Sequence, residues 1–239
     1  NDGVIMLSER DEFAYHEMIA HVPLFVHPNP ENILIIGGGD GGTAREVLRH
    51  DAIKRVVMVE IDRMVVDACR EYMPQLSYAL DDSRMNLIID DGVKFVENTD
   101  ERFDIVIVDS TDPVGPAEPL FNETFYQNTS NILTPEGILI TQAESPYYDT
   151  EIQRTMFKNQ RLSFEKLHMY LFSNLTYPGG LWSFGFASKK VCPIKDFGPH
   201  RVTNSRISFR YYNHEVHRAA FALPTFVTEN LKDLLDKPG

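Results

Sequence analysis

The chain is poor in the residues that build metal sites, disulfide frameworks and membrane spans. Its two cysteines, Cys69 and Cys192, stand far apart. They give neither a CxxC pair nor a disulfide framework, which suits a reducing compartment. The eight histidines show no HExxH or comparable spacing, so no metal is expected. No apolar run reaches membrane-spanning length and no signal peptide is recognisable. The expected location is therefore the cytoplasm, where the sequons at Asn122, Asn128 and Asn174 have no role. Cations are scarce: Lys and Arg total 23 against 35 Asp and Glu, a net charge of −12. With no basic run to track a phosphate backbone, nucleic acid is an unexpected partner and a small cation a fitting one. An initial Met is also missing. Asn1 falls inside a strand-like phrase, and the chain is expected to lack its natural beginning.

What is present is a 239-residue sequence that is 43% hydrophobic, enough for one large α/β core. The stretch Asp104-Ile105-Val106-Ile107-Val108-Asp109-Ser110-Thr111-Asp112-Pro113 reads as a buried parallel strand ending in two acids. Ligands gather at such carboxyl ends in open α/β sheets. Turn chemistry at Asp109 and before Pro113 is the structural alternative.

Upstream, Asn32 to Ile36 forms a strand that runs into Gly37-Gly38-Gly39-Asp40-Gly41-Gly42 and then a helical phrase. Gly37, Gly39 and Gly42 fit the GxGxxG spacing in its strand-to-helix setting, where missing Cβ atoms admit a ligand to backbone N–H groups. A second strand, Val56 to Val59, delivers Glu60 at about the 20-residue distance of an acid that holds ribose hydroxyls. Together these point to a nucleoside. Asp40 inside the loop would repel a diphosphate and attract an amine or a cationic sulfur centre, so an adenosyl sulfonium compound fits better than NAD.

A third strand, Met85 to Ile89, ends in Asp90-Asp91-Gly92. Asp91 there suits an adenine amino group and also a helix N-cap, and Gly92 leaves room for a ring. A fifth strand, Ile138 to Thr141, brings Gln142 and Glu144 to the same edge. Glu165 to Phe172 and Trp182 to Ala187 read as an antiparallel addition, with Tyr177 in the loop between them. The expected fold is α/β: a doubly wound, mostly parallel sheet with an antiparallel C-terminal edge. At the amino end, Ser8-Glu9-Arg10-Asp11 reads as a capping box, opening a helix that carries Tyr15 and His16 and stops at Pro23 and Pro28. A last helix is expected near Val227 to Leu235.

In order along the chain, Tyr15-His16-Glu17-Met18, Gly37-Gly38-Gly39-Asp40-Gly41, Val59-Glu60-Ile61-Asp62, Asp90-Asp91-Gly92, Asp109-Ser110-Thr111-Asp112-Pro113, Gly115-Pro116, Thr176-Tyr177-Pro178-Gly179-Gly180 and Ala220-Phe221-Ala222-Leu223-Pro224 resemble the motifs of the polyamine aminopropyltransferases. The resemblance implies a methyltransferase-like Rossmann sheet preceded by a small β domain. Here that leaves residues 1–10 as a remnant and 11–239 as the catalytic domain. It implies transfer of the aminopropyl group of decarboxylated S-adenosylmethionine to an amine, usually putrescine, with release of methylthioadenosine. That donor is a co-substrate, so no cofactor is expected, and a homodimer or homotetramer is.

By the same resemblance Glu60 holds the ribose, Asp91 and Gly92 contact the adenine, Pro116 lies by the nucleoside, and Gly37, Gly39, Asp40 and Gln142 line the donor. Asp109 is the catalytic base, with Tyr177, Asp112, Tyr15, His16 and Asp40 around the amine. A glutamine that the family's β domain contributes has no counterpart here. Physical chemistry agrees in kind: an alkyl amine with a pKa near ~10.4 is a cation at neutral pH and a nucleophile only as its free base. One carboxylate can anchor it and another take its proton; the residues alone do not say which does which. An S-adenosylmethionine methyltransferase and a catalytically silent nucleoside-binding or assembly protein are the alternatives.

Overall fold

Short β-branched runs set the architecture, because a strand apolar on both faces is stable only with helices on each side. In the computed structural model, which describes residues 5–113 and 115–237, these runs make one seven-stranded sheet. The elements are α1 (Glu12–Val26), β1 (Asn32–Gly37), α2 (Gly42–Leu48), β2 (Arg55–Glu60), α3 (Arg63–Tyr72), α4 (Pro74–Ser77), β3 (Met85–Ile89), α5 (Gly92–Asn98), β4 (Phe103–Asp109), α6 (Glu123–Ile132), β5 (Leu133–Gln142), α7 (Thr150–Arg161), β6 (Lys166–Ser173), β7 (Leu181–Ser188), α8 (Pro199–Thr203), α9 (His214–Ala220) and α10 (Thr225–Leu231). The strand order is β3-β2-β1-β4-β5-β7-β6. β1 to β5 pair in parallel, and β7 is antiparallel to both β5 and β6. This is the doubly wound sheet with an antiparallel edge that the sequence predicts.

Side chains alternate across the sheet with period two. Ile33, Ile35, Val56, Met58, Ile105 and Ile107 pack toward α1, α2 and the C-terminal segments. Leu34, Ile36, Val57, Val59, Val106 and Val108 pack toward the layer that contains Phe125, Met156 and Val227.

Helix α1 is the most enclosed element: every residue except Phe13 is buried, so each polar side chain on it needs a partner. Glu12 pairs with His16 and Arg45. Glu17 accepts three backbone N–H groups, from Arg210, Tyr211 and Tyr212, at 2.7–2.8 Å. His21 lies between Glu46 and His50, at 3.0 and 2.9 Å.

The ends of α1 differ from expectation. The capping box does not form: Asp11 occupies the N-cap position, but its carboxylate accepts the N–H and hydroxyl of Thr176 at 2.7 and 2.8 Å. Nor does Pro23 end the helix, which continues to Val26. Burial of Leu24, Phe25 and Val26 rewards that last turn, and the Arg201 guanidinium donates to the carbonyls of Leu24, Phe25 and His27. A distant arginine thus does the work of a local cap. Strand β5 begins earlier than predicted, with a register shift between its pairings Phe103–Leu133 and Ile105–Ile138 that absorbs the Pro135-Glu136-Gly137 turn. The final helix, α10, is shorter than predicted and stops at Leu231. Residues 1–4 lie outside the described part, and residues 5–10 contain no strand.

Candidate active site

The order of the parallel strands reverses between β1 and β4, the switch point where open sheets hold ligands. There Gly37 pairs with Asp109, and the N–H of Gly38 donates to the Asp109 carbonyl at 2.9 Å. Gly37, Gly38 and Gly41 take positive φ of 81°, 70° and 88°, and of these only Gly37 belongs to the GxGxxG set. Gly39 and Gly42 are needed for space instead. A Cβ on Gly39 would stand 2.8 Å from Glu60 Oε2, and one on Gly42 only 2.2 Å from the His16 ring.

Glu60, at the tip of β2, ties the turn to its own strand end. Its Oε2 accepts from Gly39 N at 3.0 Å and its Oε1 from Asp62 N at 2.9 Å. Burial raises its pKa against those two hydrogen bonds, helped by the charge of Asp109.

The Asp109 carboxylate accepts on both oxygens: Tyr15 donates its hydroxyl to Oδ1 at 2.7 Å and Thr43 donates to Oδ2 at 2.6 Å. Burial and the charge of Asp109 push the Tyr15 phenol well above its ordinary value, so it stays a donor. Beside it, His16 places Nδ1 2.6 Å from Glu12 Oε2 and Nε2 3.4 Å from Asp40 Oδ1. Burial opposes a charge on His16, but Asp40 and Glu12 prevail and raise its pKa. Asp40 accepts from Gly42 N at 2.6 Å, and its own pKa is raised by burial, with Asp109 adding to the effect and His16 opposing it. Tyr177 lies edge-on to Tyr15 with ring centroids 6.3 Å apart. Its hydroxyl donates to the carbonyl of Met6 at 2.8 Å rather than to an acid.

A second acidic group lies at the end of β5. Gln142 Nε2 donates to Glu144 Oε1 and Glu144 N donates to Gln142 Oε1, both at 2.6 Å. Glu144 has φ 58°, a left-handed conformation that a glutamate adopts at a cost. Gln153 and Ser183 support it by donating to the carbonyls of Ala143 and Glu144. Burial pushes the Glu144 carboxyl up to about 8, against the Gln142 hydrogen bond and with the help of the Asp112 and Asp149 charges.

The structure therefore brings Tyr15, His16, Gly37, Gly39, Asp40, Glu60, Asp109 and Tyr177 to one rim, while Gln142 and Glu144 pair with each other at the end of the neighbouring strand β5, with the Asp112 charge beside them. Asp91 caps α5, accepting from Val93 N at 2.9 Å, which is the structural role its position also suggested. Gly92 packs on Ile36, where a Cβ would come within 2.4 Å. The side chain of Pro116 and all of Val114 lie outside the described residues. Thr43 and Glu12 were not anticipated from sequence. Thr43 opens the helix after the glycine turn, and Glu12 stands four residues before His16, one helical turn away. No group of three or more His, Cys, Asp or Glu able to hold a metal occurs among the described residues.

This strand order, with the polar rim at its switch point, places the chain among the methyltransferase-type, Rossmann-like α/β proteins. Comparison with known proteins narrows that class. The spermine/spermidine synthase domain matches residues 12–196. The polyamine aminopropyltransferase of Caldicellulosiruptor bescii is 48% identical over 231 residues, spanning 97% of this chain and 82% of that protein. That of Thermotoga maritima is 46% identical over 231 residues, spanning 96% and 78%. A crystal structure of spermidine synthase in complex with the transition state analogue AdoDATO superimposes with a TM-score of 0.94 at 45% identity, covering 97% of this chain and 79% of that one. The spermidine synthase structure from Thermotoga maritima gives 0.92 at 45% identity, covering 97% and 78%. The chain belongs to the spermine/spermidine synthase family.

Proposed function

We propose that this chain transfers the aminopropyl group of decarboxylated S-adenosylmethionine to a diamine, with putrescine as acceptor and spermidine and methylthioadenosine as products. The observation that carries the reading is the Asp109 carboxylate, fixed on one oxygen by Tyr15 and on the other by Thr43 at the sheet's switch point. An acid so held keeps its remaining lone pairs aimed at one place, where an ammonium can bind and lose a proton. In the reaction Asp109 takes that proton, the nitrogen lone pair forms a bond to the carbon next to the sulfonium, and the carbon–sulfur pair returns to sulfur. One proton is released per turnover. Sulfonium is itself a good leaving group, so the step asks for no metal and no bound cofactor.

Glu60 and the glycine turn suit the ribose, Asp91 and Gly92 the adenine, and Asp40 with Gln142 the donor's cationic tail. Pro116, after β4, is assigned to the nucleoside by family pattern. Asp112 with Glu144 suits the ammonium at the acceptor's far end, and Tyr177 turns from the Met6 carbonyl to the attacking nitrogen. On the same pattern the chain works as a homodimer or homotetramer in the cytoplasm. No helix among the described residues is long and apolar enough to cross a membrane.

The test is to offer putrescine with each of the two sulfonium donors and follow the thioether left behind, methylthioadenosine for aminopropyl transfer and S-adenosylhomocysteine for methyl transfer. Release with the decarboxylated donor alone is the expected result. Turnover with the carboxylated donor alone, giving a methylated product, overturns the assignment. Light scattering of the purified chain reads the assembly directly.

A further inference from the structure

The opposite end of the sheet carries a cavity of about 690 Å³, within the range of small-ligand sites. It opens beside the starts of β4 and β5 and the end of β7. Six residues of β4, Phe103 to Val108, separate its Arg102 from Asp109, roughly 20 Å at the rise of an extended strand, so it is no part of the site above. Arg102, Lys189 and Lys190 line it, with Glu165 as the one acid among its lining residues. In a chain of net charge −12 that local balance is reversed.

None of these three cations forms an ion pair among the described residues. Lys189 donates to the Leu133 carbonyl at 3.0 Å, which holds its ammonium at the wall. Burial lowers its pKa, and the charge of Arg102 lowers it further. Arg102 spends one nitrogen on the carbonyls of Asp100 and Glu101. The nearest acid on β4, Asp104, is already engaged by the N–H groups of Glu31 and Asn32 and by Thr134. A further lining residue, Ser163, has a buried hydroxyl without a hydrogen-bond partner. An uncompensated group of cations and an orphaned hydroxyl around one cavity form a set of donors lacking an acceptor.

We propose that this cavity binds a phosphoryl group, with Arg102, Lys189 and Lys190 as its counter-charges and Ser163 as a neutral donor. A tetrahedral dianion with several acceptor oxygens satisfies more of these donors than a single carboxylate. Its source is free phosphate or the phosphate tail of a nucleotide. The sequence shows no basic run here because the cations come from segments brought together only by the pairing of β4, β5 and β7.

The full chain is titrated calorimetrically with inorganic phosphate, pyrophosphate and uridine triphosphate in buffer free of phosphate and sulfate, for wild type, for R102A/K190A and for S163A. Saturable one-to-one binding that weakens with salt, falls at least tenfold in R102A/K190A and falls less in S163A is expected, with aminopropyl transfer unchanged in both variants. Saturation by inorganic phosphate assigns free phosphate. Saturation by the longer probes alone assigns the nucleotide tail. Absence of saturable binding with all three probes, or binding undiminished in R102A/K190A, overturns the proposal.

Discussion

Tyr15 and Asp109 are 94 residues apart in the chain and share a 2.7 Å hydrogen bond, so the first helix and the fourth strand together define one carboxylate's direction. Removing the acid and removing its orienting partner should have different costs. Asp109→Asn is expected to lower turnover by roughly 10²- to 10⁴-fold, the usual worth of a general base, with donor affinity kept. Tyr15→Phe loses one hydrogen bond to a charged group, about 1.5–3 kcal/mol, and should cost roughly 10- to 100-fold. Steady-state rates with direct donor binding check both; near-normal turnover in Asp109→Asn removes it from the base role.

Glu60 gives one oxygen to Gly39 and the other to Asp62. A glutamine offers a single oxygen and presents its amide N–H₂ to one of those donors. Glu60→Gln is therefore expected to loosen the glycine turn and raise the donor's KM by about tenfold or more, with kcat little changed. Unaltered donor affinity contradicts the assignment.

Glu144 titrates at about 8 in the folded chain, above the ~4.3 of a free glutamate. A raised folded pKa means stability that is fully present below the unfolded value and is lost as pH rises through about 8. Thermal melts of wild type and Glu144→Gln from about pH 5 to about pH 9 should show the variant gaining relative to wild type with rising pH. Over the same range the acceptor's KM should fall as the carboxyl ionises in the wild type, and this limb should vanish in the variant. Parallel melting curves refute the shift.

A Cβ at Gly42 would meet the His16 ring at 2.2 Å. His16 has no room to withdraw, since it is buried and held by Glu12. Gly42→Ala is expected to destabilise the chain by about 1–3 kcal/mol, as core overpacking does, and to lower activity by displacing His16 from Asp40. Denaturant melts and rates measured together check it; a variant with both unchanged disproves the pinned arrangement.

Much of the fold is legible in the sequence because β1, β2 and β4 are short, apolar on both faces and end in glycine or acid. The strand tips Gly37, Glu60 and Asp109 follow from that punctuation. The ends of α1 do not, because they are decided by Thr176 and Arg201, which arrive from the far end of the chain. The glycine spacing identifies a tight turn whose Gly39 and Gly42 can carry no Cβ, but not that Glu60 and His16 are what fill that space, nor that Gly38 and Gly41 are the further left-handed positions. Tyr177 is placed on the right loop, yet its hydrogen bond to Met6 depends on a segment with no local pattern. Glu144 is visible at the strand end, while its proximity to Asp112 emerges only from the packing of two loops.

The three amides of residues 210–212 that Glu17 accepts have a consequence for how the molecule ages. Glu17 lies directly after His16 on the helix that presents Tyr15 to Asp109, and its charge is balanced only while that downstream strap stays docked. A single proteolytic nick in the strap would leave a buried anion on α1 without donors. Damage far from the rim would then silence the enzyme before the sheet itself came apart, so loss of activity should report tail cleavage earlier than loss of fold.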